Sequence, residues 1–585
     1  MSEKVAQESE KITETSQEET VLNDKSSAST TTEQAMPPSK ADPSDPATAS
    51  HERTRKEKIG RIMTFFALQL SLFLGALDGT IVSTCMPVIG SDFQQMSIVA
   101  WVATAYILTF DAFQPLFSKF SDIFGRKYTL LVGVFIFLFG SLMCGVAKTM
   151  IWLIICRAIA GIGAAGIFSG VFVVISEMVP LEKRGSYQGL INAVFALSSV
   201  LGPLIGGSLT EYVTWRWVFF INLPTGGVAM VLLVLFMDLP KKQQTSFVDK
   251  LKSIDYLGTC MVLAAALLFL LALNFGGQLY PWRSAAVITP LVLAFVIVFA
   301  FAYVEVNIAK DPIMPPHLFR NRSVLAILIT NFWFGVSFFA VVYYLPVYFQ
   351  VVRNDSAMWS GIRLIPMQML ICVFSSGAGF TISKTQKYRP MIWVGMAVLT
   401  LHSGLISLFD INTSFSEIYG LTVIGGCGMG LIFSSTIIGL QASVSPKDIS
   451  VVTGLGNFSR LLGGAVGVAI ASNVYNSQLT KNLPNAVPLE FVEPILMSNL
   501  FVHNGLPPQY LESVLNVIVG ALRLLWYIMT PLTFLGLVSS TFVRPYSLRQ
   551  PGQRDKKKAA ADEEQKPSSD GPEEVVVDAT ELAKA

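Results

Sequence analysis

Charged residues are scarce in this sequence. Only 14% of its 585 residues are Asp, Glu, Lys or Arg, whereas 52% are hydrophobic. About a quarter of the residues in a soluble globular domain are charged, so this composition excludes an ordinary soluble protein. The formal net charge of +2 provides no strongly basic surface, and we expect no nucleic-acid partner.

Cysteine and histidine are also rare, with six and four copies. The cysteines lie in apolar runs at unrelated spacings, without histidines beside them, so neither a metal site nor disulfides are expected, only small core residues. These are Cys85, Cys144, Cys156, Cys260, Cys372 and Cys427. The sequence shows no phosphate loop or nucleophile constellation, which argues against an enzyme and predicts no cofactor.

Apolar runs of about 20 residues dominate the chain, and at 1.5 Å per residue each crosses a hydrocarbon core roughly 30 Å thick. Backbone groups in lipid must bond within their own segment, so the runs predict an all-α polytopic membrane protein. The predicted spans are 62–90, 98–118, 128–147, 150–178, 186–210, 217–238, 255–275, 284–305, 323–350, 357–381, 389–409, 416–440, 450–474 and 515–541.

Lysine and arginine concentrate in alternate connections between these spans, for example at 53–58, 119–127 and 183–184. Short loops rich in these cations stay on the cytoplasmic side, so both termini are predicted to be cytoplasmic and the number of spans even. The polar segments 1–58 and 544–585 are predicted to be disordered tails.

Two N-glycosylation sequons, at Asn354 and Asn412, fall in loops predicted to face outward. Glycosylation is chemically possible there, and chance matches in these short loops are the alternative. The longest outward segment, 475–514, carries several prolines and is expected to be irregular, with a short amphipathic helix.

A dense polar turn, Ser118-Lys-Phe-Ser-Asp-Ile-Phe-Gly-Arg-Lys127, separates the second and third spans. Asp122 and Arg126 are spaced to pair across one helical turn, and Gly125 allows the chain to reverse. The turn resembles the signature loop of the major facilitator superfamily, Gly-x-x-x-Asp-x-x-Gly-Arg-Lys/Arg, and departs from it at Ser118. The alternative is a solvated basic turn that only sets orientation.

The fourth span contains one cation, Arg157, among small apolar residues. A buried cation in lipid is costly, so Arg157 is expected to face a cavity or a carboxylate, unless it extends to the outer surface. The segment resembles the fourth-span motif of the same superfamily, an Arg followed by Gly-x-Gly-Ala-Ala.

Leu201-Gly-Pro-Leu-Ile-Gly-Gly207 lies in the fifth span. Gly202, Gly206 and Gly207 are expected to thin one face so that another helix approaches closely, and Pro203 to kink the axis. In this place the pattern is similar to the antiporter motif of exporting members of the superfamily, although small-residue packing faces are common in membranes.

Three further strings resemble the fourteen-span drug:proton antiporter family: Leu77-Asp-Gly-Thr-Ile-Val82, Trp215-Arg-Trp-Val-Phe-Phe-Ile-Asn-Leu-Pro-Thr-Gly226 and Asn457-Phe-Ser-Arg-Leu-Leu-Gly-Gly464. The resemblance implies a major facilitator fold of fourteen transmembrane helices in a monomer. Two six-helix bundles, 59–240 and 322–543, would flank two inserted helices in 241–321. The implied activity is exchange of protons for drugs, toxins or secondary metabolites across a fungal plasma membrane.

Ionisable residues within spans are candidates for coupling. Asp78 lies about 24 Å along its helix from the cytoplasm and Arg157 about 10 Å from the opposite side, so they can share a level and pair. Asp111 lies in the second span, outside the matched motifs. Its carboxylate would contact substrate or a proton, or form a structural hydrogen bond. Arg460 lies near mid-membrane, where it could meet an anionic group.

The ninth span is rich in aromatic residues, which suits either a cavity for flat molecules or packing against lipid. Tyr343, Tyr344 and, in the tenth span, Gln368 are the candidate cavity residues. The rival functions are a vacuolar exchanger of basic amino acids for protons, a siderophore transporter and a non-transporting nutrient sensor. Retention of the coupling groups argues against the sensor.

Overall fold

The computed structural model describes residues 46–95, 98–99, 101–180, 183–237, 255–276, 280–309, 312–497, 501–546 and 548. Two units are distinguished along the chain, Met1–Lys58 and Ile59–Ala585, and the account below concerns the second. Most of both predicted tails, and the linker at 238–254, lie outside the described residues.

The N-terminal half of the second unit is built from long helices with a short break in the sixth span. The helices are α1 (Pro46–Asp92), α2 (Trp101–Phe124), α3 (Arg126–Gly145), α4 (Met150–Met178), α5 (Arg184–Tyr212), α6 (Trp217–Phe220) and α7 (Asn222–Phe236). Two inserted helices follow, α8 (Tyr256–Phe275) and α9 (Ala285–Asn307).

The C-terminal half repeats the pattern of long helices. It consists of α10 (Pro316–Arg320), α11 (Arg322–Val347), a π-helical turn (Tyr348–Val352), α12 (Ala357–Thr385), α13 (Arg389–Leu405), a 3₁₀ turn (Ile406–Leu408), α14 (Phe415–Ala442), α15 (Ile449–Ala486), α16 (Leu489–Met497), α17 (Phe501–Asn504) and α18 (Pro508–Thr541).

Polar residues just before the apolar runs set several of the helix starts. The Thr149 hydroxyl accepts a hydrogen bond from the Trp152 amide, and the Asp255 carboxylate accepts one from the Gly258 amide. Before α14, Ser414 and Glu417 bond each other's backbone amides. These caps satisfy amides that have no partner within the helix, so they fix the boundaries between loop and span.

All fourteen predicted spans coincide with helices. Twelve helices in the described part of the chain are long and apolar enough to cross a membrane. The other two, α2 and α5, have 24 and 29 residues but carry more polar side chains. The structure therefore confirms an all-α membrane protein, while the number fourteen stays a prediction.

The outward segment differs from the prediction in its extent. Helix α15 continues through Pro484 to Ala486, well beyond the predicted end at 474, and α18 begins already at Pro508. The expected short helix between them is α16. Apolar residues such as Leu479 and Leu483 remain buried in the extension, which explains why the helix persists there.

Each half has its own apolar core, and the inserted helices pair with each other beside α2 and α15. The Lys119 ammonium donates to the Pro312 carbonyl at 3.0 Å and so ties the end of α2 to the segment after α9. The cysteine prediction needs correction, because Cys260 is exposed and Cys372 and Cys427 are half-buried. Cys260 lies on an apolar helix, where a small hydrophobic side chain tolerates exposure to lipid.

Candidate functional site

A fully buried ion pair lies at the centre of the N-terminal half. Arg157 Nη1 lies 2.5 Å from Asp78 Oδ2, and the two residues are 1% and 0% exposed. Arg157 therefore does not extend to the surface, and the predicted pairing with Asp78 is present. A pair so removed from water survives only when its other polar atoms also have partners.

Those partners come from neighbouring helices. Arg157 Nε donates to the Val102 carbonyl at 3.0 Å, and the guanidinium lies 4.2 Å from the centre of the Tyr106 ring. Asn222 Nδ2 donates to Asp78 Oδ1 at 3.0 Å and to Ser141 Oγ at 2.9 Å. The pair thus connects α1, α2, α3, α4 and α7, and any change in its charge acts on the whole bundle.

The signature turn forms a second charge cluster. Gly125 has φ +98° and ψ 149°, a backbone conformation essentially restricted to glycine, which explains its place in the reversal. Arg126 Nη2 lies 2.6 Å from Asp122, as the spacing predicts, and 2.6 Å from Glu177 at the end of α4. Lys127 Nζ donates to the Val234 carbonyl at 2.8 Å. The turn therefore joins four helices, α2, α3, α4 and α7, at one end of the bundle.

The glycine face of α5 packs against α1. A Cβ on Gly206 would lie 2.6 Å from the Ile81 carbonyl oxygen, and one on Gly202 would lie 2.8 Å from Thr80 Cβ. Gly207 faces open space, so the expectation that all three glycines share the packing face is wrong for this residue. One residue is 100° of helix, which turns Gly207 away from the face of Gly206. The side chain of Pro203 lies outside the described residues.

The two halves contact each other through small and hydroxyl-bearing residues. The Ser450 hydroxyl donates to the Ser118 carbonyl at 2.7 Å, and Asn192 Nδ2 donates to Ser375 Oγ. Arg184 Nη1 donates to Gln441 Oε1 at 2.9 Å. These contacts lie toward the end of the molecule that carries the basic loops at 119–127 and 183–184. Ser118 thus permits close approach of α2 and α15 where the signature has glycine.

Asp111 and Arg460 lie farther from that end, on opposite halves. Asp111 is 3% exposed, and its Oδ1 has no hydrogen-bond partner among the described residues. Arg460 Nη2 donates to Asn457 Oδ1 at 3.0 Å, and its guanidinium lies 4.7 Å from the centre of the Phe433 ring. No described carboxylate lies within 4.0 Å of Arg460, which contacts an amide and an aromatic ring, so an anionic substrate group stays the other predicted partner.

The candidate cavity residues separate in the structure. Tyr343 is 47% exposed, whereas Tyr344 is 9% exposed and packs edge-on to Tyr475 in the core of the C-terminal half. Tyr344 is therefore a core residue, and the prediction that it lines a substrate cavity is wrong. Gln368 is half-buried and lies one helical turn before Cys372, whose Sγ contacts the Asn192 carbonyl oxygen of the other half. This register places Gln368 on the face of α12 that is turned toward the N-terminal half.

Sequence reasoning missed several residues that complete these clusters. Asn222, which was predicted only as part of a string that resembles the antiporter family, joins the central ion pair. Glu177 pairs with Arg126 of the signature turn from the end of α4. Asn192 and Ser375 connect the halves. Polar residues inside apolar runs were the available signal for Asn222 and Asn192.

A separate cavity of about 560 Å³ opens at the other end of α1, away from the predicted site residues. It is lined by Val88, Ser91, Asp92, Thr214, Trp215 and Arg216. The Trp215 ring nitrogen donates to Asp92 at 3.0 Å, so two of the residues that line this cavity are hydrogen-bonded to each other.

The helical architecture and the clusters described above define a multi-pass membrane transporter. Residues 68–468 match the model of the Major Facilitator Superfamily. The chain belongs to this superfamily, whose members carry small molecules across membranes, and it is a transporter rather than an enzyme.

Relatives of similar length come from fungi. The chain is 36% identical to the MFS-type efflux pump MFS1 of Trichophyton rubrum over 487 residues, which cover 83% of this chain and 90% of the relative. It is 33% identical to the efflux pump FUS6 of Gibberella moniliformis over 528 residues, covering 88% and 93%.

Solved structures share the fold at low identity. The human organic anion transporter MFSD10 superposes with a TM-score of 0.52 at 14% identity, covering 82% of this chain and 99% of that chain. The proton:xylose symporter XylE superposes with a TM-score of 0.53 at 13% identity, covering 85% and 98%. These likenesses support the major facilitator fold of the described helices.

Proposed function

We propose that this chain is a proton-coupled antiporter that exports small molecules across the plasma membrane, with Asp78 and Arg157 as the coupling pair. The substrates would be drugs, toxins or secondary metabolites. The fungal relatives named as efflux pumps support export. The observation that carries the coupling role is the 2.5 Å ion pair, which is removed from water yet connected to five helices.

The chemistry follows from the partners of the pair. When Asp78 takes up a proton, its attraction to Arg157 is lost, but neither group is left without contacts. Arg157 keeps the Val102 carbonyl and the Tyr106 ring, and Asp78 keeps Asn222. Both groups therefore keep polar or aromatic partners in either protonation state, and loss of the counter-charge of Arg157 makes the two states differ in free energy, which a coupling group requires.

Protonation then acts on the arrangement of the helices. The ionised pair pulls α1 toward α4, and α1 also carries the residues that touch the glycine face of α5. Helix α5 in turn contacts the C-terminal half through Asn192. A proton arriving from outside would neutralise Asp78 as substrate leaves outward, and its release to the cytoplasm would complete the exchange.

Reconstituted vesicles test the coupling role. The full-length protein is given an imposed pH gradient and whichever aromatic drug of a labelled panel the parent concentrates. Asp78→Asn is expected to abolish uphill transport while retaining downhill counterflow of the same drug. Asp92→Asn, which removes an acid half-exposed beside Arg216, is the matched control and is expected to behave like the parent.

The result that contradicts the assignment is equally specific. If Asp78→Asn still concentrates the drug as well as the parent does, while Asp111→Asn does not, the proton is carried by Asp111. Loss of counterflow together with uphill transport would make the ion pair a structural element only. Imaging of a fluorescently tagged protein decides between the plasma membrane and the vacuole.

A further inference from the structure

Two ionisable side chains in the membrane interior, Asp111 and Arg460, lack partners of opposite charge among the described residues. They belong to different halves, on α2 and α15. We propose that they are the two poles of a substrate site for flat amphoteric molecules, which carry a basic group and an acidic group on one aromatic frame. This inference rests on the proposed export function, and it names the class of substrate.

The register of α2 and α15 places both charges at one level. The helices touch where the Ser450 hydroxyl donates to the Ser118 carbonyl, and where Gly454 lies against the Ser118 side chain. The predicted spans alternate in direction, so α2 and α15 run antiparallel. Asp111 precedes Ser118 by seven residues, and Arg460 follows Gly454 by six. At 1.5 Å per residue both charges then lie about 10 Å from the contact, on the same side of it.

Asp111 lies on the face of α2 that is turned toward the other half. Seven residues are almost two full turns, so Asp111 and Ser118 share that face. Ser118 itself lies against Gly454 of α15, so this face of α2 is turned toward the C-terminal half. With Oδ1 unbonded and the residue 3% exposed, Asp111 is a buried acceptor without a donor.

Arg460 supplies the opposite pole. Its guanidinium turns back along α15 to Asn457, one turn closer to the contact with α2. The Phe433 ring lies on its other side at 4.7 Å. An arginine has five donors, and the described contacts use one. The remaining donors suit a carboxylate or a phenolate, which planar guanidinium groups bind well.

Aromatic rings lie beside the Arg460 pole. Phe338 packs 5.4 Å from Phe433, edge to face, and Tyr343 lies on the same helix as Phe338 with 47% of its surface exposed. Rings in this arrangement favour flat molecules. A substrate with only a cation would leave Arg460 unpaired, and one with only an anion would leave Asp111 unpaired. Both omissions are costly in the membrane interior, which is why an amphoteric molecule fits best.

The test compares three matched naphthalene probes bound to the purified full-length protein, by equilibrium dialysis of tritiated compounds. The amphoteric probe is 6-(aminomethyl)-2-naphthoic acid, the cation is 2-(aminomethyl)naphthalene, and the anion is 2-naphthoic acid. The parent is expected to bind the amphoteric probe about tenfold more tightly than either of the others. The cation lacks the charge-assisted contact with Arg460, and the anion lacks the one with Asp111.

The variants separate the two poles. Asp111→Asn should weaken the amphoteric probe and the cation about tenfold and leave the anion unchanged, whereas Arg460→Gln should weaken the amphoteric probe and the anion. Asp111→Glu and Arg460→Lys keep the charges and should keep the preference, which excludes misfolding as the cause. Asp92→Asn should change none of the three affinities.

Equal binding of the three probes by the parent, or no binding of any, would overturn the inference, as would equal weakening of all three in both variants. The proposed export function is judged separately by uphill transport in vesicles. A parent that transports without this preference disproves the amphoteric site alone. A parent that shows the preference but is not driven by a pH gradient disproves the proton coupling alone.

Discussion

Arg126 and Glu177, 51 residues apart in the sequence, are joined twice: the Glu177 Oε1 atom lies 2.6 Å from Arg126 Nη2 and accepts a hydrogen bond from Arg126 Nε at 2.8 Å. The start of α3 is thereby fastened to the end of α4. Because Asp122 binds the same guanidinium, one cation holds three helices at the end where the halves meet.

Glu177→Gln is expected to loosen this junction slightly. The Glu177 side chain is 38% exposed, so water screens the pair and its contribution is about 0.5 kcal/mol, roughly a twofold change in the balance between conformations. The initial rate of drug export in vesicles should therefore change about twofold at low salt and less at high salt. Glu490→Gln, at an exposed position in α16, is the control, and an equal effect of both substitutions would contradict the prediction.

The glycine face of α5 offers a pair of neighbouring positions with opposite expectations. Gly206→Leu places a side chain against Ile81, so α5 and α1 must separate, and overpacking of this kind costs about 1–3 kcal/mol. We expect transport to be abolished with abundance largely intact. Gly207→Leu enters open space and should transport normally. Near-normal efflux by the Gly206 variant in cells, at matched protein abundance, would remove the antiporter interpretation of the motif.

Gly125 is expected to be intolerant of any side chain for a conformational reason alone. A Cβ there meets no atom within 4 Å, yet φ is +98°. Both Gly125→Ala and Gly125→Asn should destabilise the protein by about 1–3 kcal/mol, since asparagine favours a different left-handed region. Gly79→Ala, in open space at an ordinary φ, is the control. Thermal unfolding in detergent measures all three, and a stable asparagine variant would show that the strain is smaller than this.

The central ion pair predicts a non-additive pair of substitutions. Arg157→Met leaves the Asp78 carboxylate buried without its counter-charge, which costs about 3–5 kcal/mol. Asp78→Asn together with Arg157→Met removes both charges, so the double variant should unfold at a higher temperature than Arg157→Met alone. It should still lack uphill transport. If the double variant is less stable than the single one, the two side chains do not act as a pair.

Topology is tested with two epitope tags. A tag within residues 1–50 and another at Ala585 should both be inaccessible to antibody in intact cells, because the basic loops predict cytoplasmic termini. Permeabilised cells, in which both tags should react, provide the control. Labelling of either tag without permeabilisation would overturn the orientation.

Residues whose role depends on depth or on local spacing were predictable from the sequence. Counting residues along two helices placed Asp78 and Arg157 at one level, and the i, i+4 spacing paired Asp122 with Arg126. The rotation of a helix about its axis was harder to predict. Gly207 was predicted on the packing face of Gly206, and Tyr344 on a cavity face with Tyr343, but each is rotated away from its neighbour. Apolar runs in membranes carry little amphipathic signal from which such a rotation could be predicted.

Contacts between distant segments could not be predicted from one sequence. Asn222 reaches Asp78 from 144 residues away, and Glu177 reaches Arg126 from an adjacent helix end. Either contact depends on how helices are ordered around the bundle, which the order of apolar runs does not specify. The same reason left Asn192 without an expected partner before the structure placed it against Ser375.

Many of the contacts between the halves are made by hydroxyl, amide and glycine groups, as at Ser118, Ser450 and Asn192, beside the Arg184 guanidinium and the apolar side chain of Ile437. Water makes the same hydrogen bonds to these groups once the halves part, so each bond lost at the seam is replaced at little cost. A purely apolar interface would instead expose apolar area to water when the halves separate, and so would stabilise the closed conformation. Separating the halves at these polar contacts therefore costs little free energy, so we expect the modest binding energy of one small substrate, or of one proton in the proposed exchange, to be enough to shift the balance between conformations.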